Sequence, residues 1–581
     1  MATTTSTDET AAKVDIESSG QGQTGVLKTE AIQKSWTRRS LWTAYTGMFL
    51  MCLSTSLDSQ TTSNLSSFAT SGFGKHSLLS TIGVIGNVLN AVLQPPIAKF
   101  ADVFGRFEAW ALALSLYILG YSISAGSGSI TAYAVAKVFE ASGNTGLRML
   151  QQVFIADTSD LLNRALLSSV PDVPFLGTVW IGPVIAGALG KAGKWRWGFG
   201  MWVFITPAFS APLLWCLWRN ARKAKRAGNY PEFPWKRQGI AQAAVTVVKE
   251  LDLVGMLLLT AGFMCLMTPL TLERYVAGGF GDPKLVGPMV AGGVCLLLFP
   301  LWEMSPRLAP TPIIPFQLFK NRTVMAGCLT GFFYFMAFFL SVQPYYFSYL
   351  SVARNLSATA SGHLVHIFSF SCTVTVLFVG VLIKRIGRYK RFLLLGVVLY
   401  SAGILLMLFF RHHKNTIPVN AGIQVLVGIG GGFVNVPIQL GMQASVAPKD
   451  VACTTALFLT TLSLGGAVGS GVSGAVWSGL LKPKLQKYLP EEMAGEVDTI
   501  FGNFLKATEL EWGSVEREAV VRAYDETMRT LLIVAVAVCV PMWLLAPCMK
   551  SLNLKLKEIE VGDRGVIVGR SGKEKAEAEG N

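Results

Sequence analysis

The sequence predicts an all-α membrane protein with fourteen transmembrane helices, arranged as two six-helix bundles plus an inserted helix pair. Three observations carry that prediction. The 581 residues are 51% hydrophobic and only 15% charged, with a mean hydropathy of +0.46, whereas a soluble domain carries about 25% charged residues. Apolar stretches long enough to cross about 30 Å of hydrocarbon recur along the whole chain. Two loops eight helices apart carry the same Gly-Arg pair. The 58 Gly and 14 Trp fit the same reading, since Gly lets membrane helices approach closely and Trp favours the interface.

Residues 1–40 open with a stretch rich in Ser, Thr, Asp, Glu and Gln, lack the basic-then-apolar layout of a signal peptide, and read as a disordered cytoplasmic tail. The expected spans are 41–63, 78–98, 108–126, 132–156, 167–190 and 198–218 in the first bundle (41–218). After a basic cytoplasmic loop, 219–250, come the inserted pair (251–304), with spans 251–271 and 285–304. The second bundle (323–548) holds spans 323–350, 360–383, 392–410, 420–443, 452–481 and 529–548, with a long extracellular segment 482–528 and a cytoplasmic tail 549–581. An even number of crossings returns both termini to one side. With the N-terminus inside, the inner loops and tails hold most of the 50 basic residues, including the runs Arg219 to Arg226 and Lys384 to Arg391. The formal charge of +15 is therefore read as topology and contact with anionic lipid, not as nucleic-acid binding.

The loop after the second span reads Lys99-Phe100-Ala101-Asp102-Val103-Phe104-Gly105-Arg106, and the one after the tenth ends Lys384-Arg385-Ile386-Gly387-Arg388. If these correspond, helices 1 to 6 match helices 9 to 14, and Asp102, Gly105, Arg106, Gly387 and Arg388 form a pair of gating loops. Two parallel six-helix halves with a site between them is a transporter plan.

Several other chemistries are excluded. The nine Cys are scattered, with no CxxC pair and no His at ligand spacing, so neither a disulfide framework nor a metal site is expected. Gly72-Phe73-Gly74-Lys75-His76 lacks the leading Gly and the Ser or Thr of a phosphate loop, and Gly469-Ser470-Gly471-Val472-Ser473-Gly474 lies within a span after no strand. No nucleophile and base, and no cofactor motif, survives inspection, so an enzyme is not expected.

Polar residues at membrane depth are the informative ones, because a charge there costs at least about 2.5 kcal/mol unless it faces protein or water. On helix 4, Lys137, Glu140, Asn144, Arg148 and Gln151 share one face, read as a wet cavity wall. On helix 1, Ser54, Asp58 and Thr61 form a second stripe, with Arg148 or Lys137 as counter-charge to Asp58. A buried carboxylate that exchanges between protonated and paired states is what proton coupling requires, and a static structural pair is the alternative. His363 and His366 share a face of helix 10, suited to hydrogen-bonding a polar ligand and poor as a metal site. Gln343, Tyr345, Tyr346 and Tyr349 close helix 9, lining an outer vestibule or belonging to the aromatic belt. Gly182 and Pro183 give helix 5 a kink that doubles as a hinge. In the segment 482–528, apolar residues from Phe501 to Tyr524 at helical spacing predict amphipathic helices folded over the outer mouth. Asn64 and Asn355 stand in glycosylation sequons on the outer side.

The chain resembles the fungal siderophore-iron transporters, fourteen-helix members of the major facilitator superfamily. The likeness rests on Leu57-Asp58-Ser59-Gln60-Thr61-Thr62, Phe73-Gly74-Lys75-His76-Ser77, Pro95-Pro96-Ile97-Ala98-Lys99 with the loop to Arg106, Phe154-Ile155-Ala156-Asp157-Thr158-Ser159, Trp180-Ile181-Gly182-Pro183, and Trp195-Arg196-Trp197-Gly198-Phe199-Gly200-Met201-Trp202. It covers nearly all of residues 41–548. It implies the major facilitator fold and proton-driven import of ferric siderophores by alternating access, with the last outer loop taking part in substrate admission and Gln60 and Trp180 joining the binding residues. Val103 replaces the usual basic residue of the superfamily's loop motif, while Asp102, Gly105 and Arg106 remain. The expected partners are a ferric siderophore, protons and the bilayer, with no cofactor, no nucleic acid and a monomeric chain. The plasma membrane is the expected location, an endosomal or vacuolar membrane the alternative. The same helices would also serve a proton-coupled antiporter exporting drugs or glutathione; a non-transporting siderophore receptor is disfavoured by tails too short for a signalling module.

Overall fold

Where no water reaches the backbone, an apolar run must satisfy its amides within itself, which leaves the α-helix as its local solution. In the computed structural model every described element is helical apart from one isolated antiparallel bridge between Arg388 and Asn553. The structure describes residues 37–158, 173–226, 252–272, 281–305, 316–413, 415–446 and 451–553, with scattered positions at 171, 245, 248–249, 307–310 and 312. Most of both tails and of the basic loop 219–250, and the Ser159 end of the fourth motif, lie outside them.

Among the described residues, fourteen helices reach 17 residues or more. They are α1 Arg38–Gly72, α2 Leu79–Phe104, α3 Arg106–Gly126, α4 Ile130–Thr158, α5 Phe175–Lys191, α6 Trp202–Arg226, α7 Leu253–Leu272 and α8 Pro283–Glu303. They continue with α9 Arg322–Ser341, α10 Ala358–Ile386, α11 Lys390–Phe410, α12 Ile417–Ala444, α13 Val451–Tyr488 and α14 Val515–Leu545. Ten of the apolar stretches are long and hydrophobic enough to cross a membrane, and Phe175–Lys191 and Leu253–Pro269 are shorter apolar helices. The two long helices outside that group are α1 and α4, whose interiors carry the polar stripes.

Local chemistry sets the ends. Asn321, Ser357 and Ser514 cap α9, α10 and α14 by accepting from the backbone N–H groups of Thr323, Ala360 and Arg517. α1 runs past its apolar span to Gly72, and along that polar stretch its hydroxyls are satisfied by carbonyls one turn back, Thr62 by Asp58, Ser66 by Thr62 and Thr70 by Ser66. The ninth span divides, α9 ending at Ser341 and a short helix, Tyr346–Ala353, following it. The amphipathic stretch from Val515 to Tyr524 belongs to the start of α14, with Ala519, Val520, Ala523 and Tyr524 buried, so that the connection after α13 is 489–514.

Packing repeats with an offset of eight helices. In the first bundle α1 packs on α5 and α6, α3 on α4 and α6, and α2 on α4; in the second, α9 packs on α13 and α14, α11 on α12 and α14, and α10 on α12. The α3–α4 crossing is so close that a Cβ on Gly143 would meet the Tyr117 backbone and one on Gly120 the Glu140 backbone. In the α11–α12 crossing Gly430 stands against the Tyr400 backbone and Gly403 against Val427. Both halves thus use a Tyr-x-x-Gly on one helix against a glycine of the next. The two Gly-Arg pairs are equivalent as well: Gly105 caps α2 with φ 118° and Gly387 caps α10 with φ 75°, backbone that a side chain would strain.

The bundles meet along two seams, α2 against α13 and α5 against α10, and α7 lies over the first of these with α8 behind it. Thr460 Oγ1 donates to Ala91 O (3.0 Å) and Asn87 Nδ2 to Ser470 Oγ (3.4 Å) across one seam. His363 Nε2 donates to Trp180 O (3.0 Å) across the other. Taking the face where α1 begins as proximal, these contacts run from mid-depth to the distal face. There His76 bonds Ser348 Oγ (2.8 Å) and Tyr345 OH donates to Ser77 O (2.8 Å). Short helices within 491–509 cap the junction. Phe504 sits between bundles, its ring 5.9 Å from Phe68, 5.1 Å from His76 and 6.1 Å from Phe347.

Candidate functional site

Three ionisable side chains from α1 and α4 converge inside the first bundle. Asp58 is 1% exposed. Its Oδ2 accepts from Tyr117 OH (2.9 Å) and Tyr121 OH (2.5 Å), both presented by one face of α3. Thr206 of α6 donates to Tyr117 OH (3.0 Å) and meets Ser54 Oγ at 2.7 Å, extending the network across α1, α3 and α6. Asp58 Oδ1 is buried with no hydrogen-bond partner. Lys137 Nζ pairs with Glu140 Oε1 at 2.6 Å, and both side chains are about nine-tenths buried. The ammonium also lies 5.3 Å from the Tyr133 ring centroid and 4.9 Å from that of Phe199, cation–π contacts that offset part of its desolvation. Ser124 Oγ reaches Glu140 Oε2 at 3.5 Å. The cluster holds one cation and two carboxyls, so one bound proton brings it to neutrality.

The helix-4 stripe does not stay together. Lys137 and Glu140 turn into this cluster, Gln151 is buried, Asn144 is half-buried, and Arg148 is exposed. Lys137, not Arg148, is the cation beside the acids. Gln60 is 3% exposed, with its Oε1 unpartnered. It lies against Gly182, where a Cβ would strike its side chain, and Pro183 packs on Gly362, so the Gly182-Pro183 pair stands where α1, α5 and α10 meet.

His363 and His366 share a face of α10 but not an environment. His366 is buried and accepts from Asn64 Nδ2 (3.3 Å), joining α10 to α1. Asn64, 2% exposed, is thereby out of reach of glycosylation. The His363 ring lies tilted 5.5 Å from that of Trp180, which also meets Phe370 edge-on at 5.4 Å. Tyr345 and Tyr346 are buried in the distal junction and line no open vestibule. Tyr345 stacks flat on Trp477 at 4.1 Å, while Tyr346 lies 4.0 Å below the Arg411 guanidinium. Gln343 is half-buried between α9 and this short helix. In the two Gly-Arg loops, Arg106 is half-buried and Arg388 exposed; the Asp102 side chain lies outside the described residues.

Sequence reasoning missed Tyr117, Tyr121, Tyr133 and Thr206. The available signal was the i, i+4 spacing of Tyr117 and Tyr121, which puts both hydroxyls on one face of a membrane helix.

The sequence model of the Major Facilitator Superfamily matches residues 44–470. The siderophore iron transporter mirC of Emericella nidulans is 47% identical over 532 residues, covering 92% of this chain and 88% of its own. The siderochrome iron transporter C of Aspergillus fumigatus is 46% identical, covering 92% and 87%, and siderophore iron transporter 2 of Schizosaccharomyces pombe is 37% identical, covering 87% and 86%. Among solved structures, a bacterial homologue of the human lysosomal transporter Spinster, inward-facing and unoccupied, aligns with a TM-score of 0.54 at 12% identity, over 88% of this chain and 98% of its own. That likeness speaks to the fold alone.

Proposed function

The chain belongs to the siderophore iron transporters of the major facilitator superfamily, a family of multi-pass membrane proteins, and from that premise we propose that it imports ferric siderophore chelates by proton-coupled alternating access. The observation that carries the substrate class is the identity to siderophore iron transporters along more than nine-tenths of the chain. The protein binds the chelate as a whole, so the metal is cargo and needs no protein ligand.

Coupling is supported by the cluster around Asp58. Two carboxyls and one ammonium in a dry bundle leave an unbalanced negative charge, which is expensive at low dielectric. A proton on Asp58 Oδ1, the oxygen without a partner, removes that charge and leaves both tyrosine bonds to Oδ2 in place. Because α1, α3, α4 and α6 all hold part of the network, its protonation changes how the first bundle packs, and with it which access state is favoured. Both termini face the cytoplasm and the distal face looks outward across the plasma membrane, so the closed seams and Phe504 shut the outer side. Substrate bound between the halves then leaves toward the inside, past the exposed Arg148. The chain acts as a monomer.

A panel of ferric siderophores given to cells that lack their own carriers tests the substrate: growth rescue and accumulation of labelled iron by at least one chelate are expected, and rescue by none overturns the reading. Asp58→Asn tests coupling. At normal membrane abundance it should abolish accumulation driven by an imposed pH gradient while leaving chelate binding in place; undiminished accumulation removes Asp58 from the mechanism.

A further inference from the structure

On the distal face, away from the charged cluster, the turn between α11 and α12 brings two imidazoles onto a carboxylate of α14. His412 Nε2 lies 3.6 Å from Asp525 Oδ2, and His413 Nδ1 contacts the same oxygen directly. One ligand atom from each of the three residues falls within 4.8 Å of the others. We propose that His412, His413 and Asp525 form a site for a divalent first-row transition metal of the zinc class.

The donor set selects the ion. Two imidazole nitrogens and one carboxylate oxygen suit borderline divalent cations, whereas calcium and magnesium take oxygen ligands. Tetrahedral bonds of about 2.0–2.2 Å hold ligand atoms roughly 3.3–3.6 Å apart; the His412–Asp525 separation of 3.6 Å already fits, the His413–Asp525 contact has to lengthen to admit an ion, and all three ligand atoms start within 4.8 Å of one another. Exposure provides access: the His412 side chain is 50% exposed and that of His413 31%, while Asp525 is 9%. Water completes the coordination.

The surroundings hold the ligands in place. Tyr349 OH donates to Asp525 Oδ1 (2.6 Å), so that Oδ2 faces both imidazoles, with the His413 backbone N–H also donating to it at 3.4 Å. Arg354 Nη1 donates to the carbonyls of His412 (2.8 Å) and His413 (2.7 Å), fixing the turn through its backbone. The guanidinium is a cation near the site, yet it is engaged by those carbonyls and contributes no ligand. Arg411, next in sequence, points inward to Ser341 O and the Tyr346 ring. A bound ion would tie the α11–α12 turn to the distal end of α14, the helix that follows the cap segment 489–514.

The test uses the full chain, purified without a polyhistidine tag in lipid nanodiscs, titrated with Zn(II) by calorimetry and with Co(II) by its visible ligand-field bands. One equivalent per chain is expected, lost in His412→Ala/His413→Ala and weakened about tenfold in Tyr349→Phe. His412→Ala alone, at the most exposed ligand, leaves the fold intact and should still remove most of the binding. Zn(II) affinity in the double variant equal to that of the native chain overturns the proposal, as does the absence of Co(II) bands in the native chain.

Discussion

Lys137 and Glu140 illustrate how a buried pair behaves when one member is removed. Each is nine-tenths out of water and they bond at 2.6 Å, so the loss of one leaves the other as an uncompensated charge, a penalty of about 3–5 kcal/mol. Lys137→Met should therefore lower the melting temperature of the purified protein sharply, and Lys137→Met/Glu140→Leu should recover much of the loss; a double variant no more stable than the single one would mean that Lys137 stabilises the fold through Asp58 and not through Glu140. These residues were legible in the sequence because an ionisable group inside an apolar span stands out on cost alone. Tyr117 and Tyr121 were not, since a tyrosine in such a helix reads equally as packing or as interfacial belt until its hydroxyl is seen on Asp58. Helical periodicity gave the angle between Lys137 and Arg148 but not the neighbour each one faces, and the neighbours differ.

The α3–α4 crossing shows the same logic one level up, because helix contact there depends on glycine. A side chain on Gly143 pushes against the Tyr117 backbone and so displaces a hydroxyl that bonds Asp58. Gly143→Leu should cost about 1–3 kcal/mol of stability and also make the residual uptake insensitive to an imposed pH gradient. Gly430→Leu, at the equivalent crossing with Tyr400, should destabilise comparably yet leave the pH dependence of residual uptake unchanged, because Tyr400 OH bonds a backbone carbonyl, Tyr334 O, and no acid. Equal effects of both on pH dependence would contradict a cluster confined to the first bundle. The cap segment makes a separate prediction: Phe504 is 1% exposed between the bundles, and Phe504→Ala removes a contact worth about 3–5 kcal/mol, so it should raise accessibility of the distal junction to thiol reagents at a cysteine placed at Ser348. Helix positions were legible from hydropathy. Their ends were less so where a Ser- and Thr-rich stretch carries α1 beyond its apolar span, and where amphipathic residues continue α14 past the hydrocarbon.

At the scale of the whole molecule, the repeat was legible from two Gly-Arg pairs, because a helix cap with positive φ demands Gly in both halves. The access state was not, since the open and closed arrangements of two rigid bundles bury the same spans and share one hydropathy profile. The structure shows the distal side closed, with α5 and α10 in contact near their distal ends. If alternating access rocks the bundles about the mid-depth seams, that contact must break once in every cycle. A Cβ placed on Gly187 would stand 3.5 Å from the Thr359 Cβ, within the Cβ separation of about 3.5–4.5 Å that a disulfide spans. Gly187→Cys/Thr359→Cys should therefore cross-link under mild oxidation, reduce uptake to the level of cells without the carrier, and regain it on reduction, while Gly187→Cys alone controls for crowding and for the nine native cysteines. Chelate binding from the proximal side, measured on inside-out vesicles, should persist in the oxidised form, because a distal lock holds open the side from which substrate leaves. Uptake at the reduced rate in a fully cross-linked sample would rule out separation of α5 from α10 as a step of transport.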